Sequence, residues 1–210
     1  MLLPNRLILG WCLGVLGALI AGAAVAKPAG SGPAIRVAQS ESDRNNVPAN
    51  IPNIAGVSLQ MSPGQSVSVG TKISFRVTTK KPGYLLLIDI DANGNMSQIF
   101  PSPEMIVQSQ DAASNFIKPG EELLIPNSEA RKRGFDYVIT PPTGEAAVVA
   151  ILSERRVQIL DLPDTQKPRT EAGTISYLTE WTSGLRVSDS GTGKLQPSNW
   201  SFDIKPYSIR

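Results

Sequence analysis

Asp89-Ile-Asp91-Ala-Asn93-Gly94-Asn95 is the stretch whose residue types and spacing come nearest to chemistry. Side-chain oxygens recur at alternate positions and a glycine stands sixth, the pattern of the first half of a calcium loop. A complete loop needs a bidentate Glu at its twelfth position, where this chain has Phe100, and extended rather than helical sequence flanks the motif. A full EF-hand is therefore rejected. Two readings remain for Asp89, Asp91, Asn93 and Asn95. They form a weaker calcium site at a hairpin tip, or they serve the turn, because Asp and Asn side chains bond the backbone two residues on.

Other chemistries fail on residue type. The chain has no histidine, which removes the commonest general base, the commonest metal ligand and every Ser-His-Asp or Cys-His arrangement. Gly191-Thr-Gly-Lys194 has the end of a phosphate-binding loop, but Ser188 replaces its first glycine and Leu195 the residue that would hold magnesium. A surface turn is the plainer reading. Two carboxylates can hydrolyse glycosides without histidine, and Asp89, Asp91, Glu121, Glu122 and Glu145 are available. Nothing in their spacing brings a chosen pair to the ~5.5 or ~9 Å that such catalysis requires. Trp181, Trp200 and Tyr207 either form a small sugar-stacking patch or pack in the core. No enzyme activity is expected.

Charge and cysteine content bound the partner and the compartment. Lys plus Arg is 20 against 18 for Asp plus Glu, so the net charge of +2 does not suggest nucleic-acid binding. Arg6 precedes an uncharged run from Leu7 to Ala26 that ends in small residues. This reads as a signal peptide over residues 1–26 with cleavage after Ala26; if uncleaved, the same run would anchor the chain in a membrane. The single cysteine, Cys12, would leave with the signal, and a mature chain without cysteine or histidine excludes disulfides, thiolate nucleophiles and the usual zinc and haem ligands. A bacterial periplasm, or secretion, is the expected location.

The elements that would position any site follow from periodicity. Residues 27–55 hold four prolines and three serines and read as a flexible linker before a domain over 56–210. Lys72–Thr79 alternates Ile73, Phe75 and Val77 with polar residues, the mark of a half-buried strand. Tyr84–Asp91 is nearly all apolar, as a strand buried on both faces would be, and Asn93-Gly94 supplies the turn into a returning strand over Asn95–Phe100. Further strands are expected over Glu122–Ile125, Phe135–Thr140, Glu145–Ser153 and Trp200–Ile204. Ile175, Leu178, Trp181 and Leu185 recur at helical steps, with Thr170 as N-cap and Gly184 at the C′ position. The expected architecture is an antiparallel β-sandwich, immunoglobulin-like or related, with one packed amphipathic helix.

The run Gly83-Tyr-Leu-Leu-Leu-Ile-Asp89, then Asp91-Ala-Asn-Gly94, Ile99-Phe-Pro101, Ile117-Lys-Pro-Gly120, Ile125-Pro126 and Thr140-Pro-Pro-Thr-Gly-Glu145 resembles an uncharacterised domain family of exported bacterial proteins. The resemblance extends over roughly 69–200. Its motifs are turn residues and buried runs, so it implies a fold and no catalytic residue. Relatives that stand alone after a signal peptide, or beside kinase, caspase-like or repeat domains, imply an accessory or sensing module. The expected function is a noncatalytic module acting through protein or cell-envelope contacts. A small-ligand or calcium-binding sensor is the alternative, and a carboxylate hydrolase a further one. Calcium is the only cofactor considered, and the oligomeric state is not legible.

Overall fold

The computed structural model describes residues 51–108, 114–167, 169–189 and 191–210. The expected signal peptide and residues 27–50 of the expected linker lie outside the described residues. In chain order the elements are β1 (Ser58–Ser62), β2 (Ser66–Val67), β3 (Lys72–Thr78), β4 (Gly83–Ile90), β5 (Met96–Phe100), α1 (Pro103–Gln108), β6 (Phe116–Ile117), β7 (Glu122–Ile125), α2 (Ser128–Lys132), β8 (Tyr137–Val138), β9 (Gly144–Ser153), α3 (Glu171–Gly184), β10 (Arg186–Ser188), β11 (Leu195–Pro197) and β12 (Trp200–Ile209).

The structure is mainly β, with its strands in two principal sheets. The larger runs β2-β12-β9-β4-β5, with β6 on the same edge of β4 as β5; the smaller runs β1-β3-β7, with β8 beside the start of β3. Pairing within them is antiparallel except for β2 on β12, a parallel contact of two residues. Between the sheets lies one core, in which Phe75 and Val77 of β3 meet Leu85 and Leu87 of β4, Val148 and Ala150 of β9, and Ile209 of β12. A second core covers the other face of the large sheet, where Ile175 and Leu178 of α3 pack on Leu86 and Ile88 of β4 and Val149 and Ile151 of β9. Strands β4 and β9 are thus covered on both faces, which is why their sequences run apolar without alternation.

Four details depart from expectation. Residues 51–55, assigned to the linker, are tied to the domain at two points: Ala55 is buried, and the Phe202 amide donates to the Pro52 carbonyl at 2.9 Å, while residues 52–54 stay exposed. Strand β12 continues past Ile204 to Ile209, whereas Phe135–Thr140 contracts to the two residues of β8. Thr170 caps α3 as expected, its hydroxyl accepting from the Gly173 amide at 3.1 Å, but Gly184 is the last helical residue rather than a left-handed C′. Leu185 instead turns to an extended conformation, leading directly into β10.

Strand β12 shows how an edge is closed. Its even-numbered amides face away from β9. Phe202 donates to Pro52, Ile204 to the Asp203 carboxylate, and Ser208 to Gln65. Pro206 has no N–H to leave open, the usual position for a proline in a sheet edge. Asp203 also accepts the Leu59 amide at 2.6 Å, stitching β1 of the small sheet to β12 of the large one.

Candidate functional site

At the hairpin end of the sandwich the two sheets part around a cleft of about 260 Å³. Asp89 enters it because Leu85, Leu87 and Asp89 share the inward register of β4: two leucines fill the inter-sheet core, and the third position of the row is a carboxylate. Tyr207 reaches it from two strands away. It stands directly opposite Ala146 on β9, and the small alanine leaves room for the ring to lie toward β4. Its hydroxyl donates to Asp89 Oδ1 at 2.9 Å. Tyr137 of β8 closes the opposite wall, donating to the Ile99 carbonyl at 2.6 Å.

The electrostatics of this pair follow from its burial. Removal from water pushes the Asp89 carboxyl up to about 6; the Tyr207 hydrogen bond pulls it back in part, and the nearby charge of Asp91 adds to the rise. Tyr207 is shifted well above the ordinary phenol range, first by burial and then by the Asp89 charge, so it stays a donor. Burial alone takes Tyr137 up to about 12. A carboxyl shifted toward neutrality inside a cleft makes Asp89 the candidate position of this end of the sandwich.

The remaining residues of the motif serve the turn. Asp91 Oδ1 accepts the Asn93 and Asn95 amides, both at 2.8 Å, and Oδ2 accepts the Asn95 side-chain amide at 2.9 Å. Gly94 has φ +81, and the Arg169 backbone lies where its Cβ would be, so only glycine fits. Asp91, Asn93 and Asn95 are therefore brought together in one turn, while Asp89 is turned to Tyr207. Among the described residues no group of three or more Asp, Glu, His or Cys side chains is placed to hold a metal ion.

The other candidate acids lie apart. Glu121 pairs with Lys118 at 3.7 Å and Glu122 with Arg76 at 3.2 Å, both on the surface. Glu145 lines a separate depression of about 590 Å³ with Asp91, Arg169 and Glu171. There burial, and then the charge of Glu145, raises the Glu171 carboxyl. Gly191–Lys194 forms the turn between β10 and β11. Its Gly191 and Thr192 amides donate to Asp189 Oδ1, which occupies the donors a phosphate would need. Arg155 holds the same Asp189 at 2.8 Å.

The three aromatic residues considered for a patch do not form one. Trp200 and Tyr207 are buried in different cores. Trp181 instead lies on the flank of α3 beside Tyr177, with ring centroids 6.4 Å apart and planes 15° from parallel. The Arg169 guanidinium sits 4.1 Å over the Tyr177 ring. Tyr177, Glu180, Trp181, Gly184 and Leu185 line a shallow, mainly apolar depression of about 450 Å³. Periodicity alone missed this ledge because it placed Trp181 in the buried stripe. The helix instead buries Thr174, Ile175, Leu178 and Thr182. The two threonines can be buried because each hydroxyl donates to the carbonyl four residues earlier, at 3.1 and 2.8 Å.

No curated protein and no solved structure matches this chain. Residues 66–156, which run from β2 through β9 and include Asp89 but not Tyr207, match the model of a family described as a domain of unknown function (DUF4384).

Proposed function

We propose that the protein is a noncatalytic accessory module, exported to the periplasm or beyond, that works by contact with a protein partner of the cell envelope. The observation that carries this reading is the α3 ledge. Tyr177, Trp181 and Leu185 are only half buried, around a depression on a helix whose other side is fully engaged with the large sheet. Aromatic side chains of this kind supply contact area at low entropic cost and dominate binding energy in protein interfaces. Glu180 at the rim selects for chemistry: an apolar side chain seated on the rings beside a Lys or Arg would satisfy both.

The test is affinity capture with the immobilised full-length protein from envelope extracts of its host, comparing wild type with Trp181→Ala and Glu180→Lys. The expected outcome is a partner lost in both variants while circular dichroism stays unchanged. A partner retained equally by both would reject the ledge as the contact surface.

A further inference from the structure

We propose that the inter-sheet cleft at Asp89 is a binding site for a small amphiphilic ammonium ion, a primary amine carried on an apolar body. The walls are mixed: Ile73, Ile99, Val138 and Ile209 line the cleft with the rings of Tyr137 and Tyr207, and Asp91, Ser97 and Thr140 add polar surface beside them. The aliphatic and aromatic side chains are what would receive the apolar body. The end of the cleft carries the charged half. Tyr207 occupies one Asp89 oxygen, and Oδ2 has no hydrogen-bond partner among the described residues.

The titratable groups facing this carboxylate are Asp91 from the hairpin, Tyr207 from β12 and Tyr137 from β8. None of the residues lining the cleft is Lys or Arg. A cation entering the cleft meets a partly buried carboxylate with no counter-charge among the lining residues. The donor set then chooses which cation. Calcium needs six or more oxygens, whereas both Asp91 oxygens are already held by the turn. An ammonium needs one strong acceptor and gains further from aromatic faces. This site lies between the sheets, on the side of the large sheet away from α3, so it is independent of the ledge.

The experiment is calorimetric titration of the full-length chain with benzylammonium chloride, and with benzyl alcohol as the neutral isostere. Benzylammonium is expected to bind at millimolar or lower concentration, and the alcohol at least about tenfold more weakly, the worth of a charge-assisted hydrogen bond. Since the cation binds the carboxylate form, its affinity should fall about tenfold for each pH unit below about 6. Asp89→Asn should abolish the preference for the amine, and Val138→Trp, at the exposed mouth, should block both ligands. Equal binding of alcohol and amine, an amine preference surviving in Asp89→Asn, no heat with benzylammonium, or calcium chloride competing it from the site would each overturn the proposal.

Discussion

At the scale of single residues, Asp89 costs the fold stability when it is charged. Its folded carboxyl titrates near 6 against an ordinary 3.8, so between those values the folded state holds a proton that the unfolded chain has lost. Its contribution to stability therefore declines as pH rises from about 4 to 6 and is flat above. The gap of roughly two pH units is worth about 3 kcal/mol. Asp89→Asn, which keeps the shape and an acceptor for Tyr207, is expected to be more stable than wild type by about 1–3 kcal/mol at neutral pH and equal to it near pH 4. Urea unfolding of both proteins across this range checks the prediction. Tyr207→Phe acts the other way on the same group: with its one donor gone, the Asp89 carboxyl rises further, which carbon-13 NMR of that carboxyl reads directly. The sequence carried a signal for this residue, since Asp89 continues the inward alternation of Leu85 and Leu87. Its partner was illegible, because Tyr207 lies 118 residues away and the pairing is decided by the order of strands in the sheet.

At the scale of elements, legibility tracked how much apolar area each segment buries by itself. Strand β3 alternates because one face packs, and β4 and β9 run apolar because both faces do. The two- and three-residue strands β2, β6, β8, β10 and β11 are too short to show a period and exist because a neighbouring strand offers them a register. Strand β12, expected over Trp200–Ile204, runs on through Pro206 to Ile209, because no β9 hydrogen bond needs the amide that Pro206 lacks. Helix α3 was legible in its span and its N-cap but not in its rotation. Loss of the cap in Thr170→Ala should cost about 1 kcal/mol. Leu178→Ala, which opens a cavity under the helix, should cost about 2–5 kcal/mol. Both are read by thermal or chemical denaturation, and the reverse order would show that α3 is held by its end rather than by its buried face.

At the scale of the whole molecule, two cores on either face of one sheet account for a fold without disulfides. The sheet leaves one end parted as a cleft and one helix flank partly uncovered, and these are the two surfaces on which the proposals rest. The family match stops at residue 156, so it contains Asp89 but excludes α3 and β12. The ledge and the tyrosine that faces Asp89 thus lie in the part of this chain that the family model does not cover. The most direct test of the contact reading is site-specific photo-crosslinking in the living host, with the photoreactive residue at Glu180 on the ledge or at Lys72 on the small sheet. A discrete adduct from Glu180 and none from Lys72 is the predicted result. An adduct from Lys72 alone would place the working surface on the opposite layer and contradict the account.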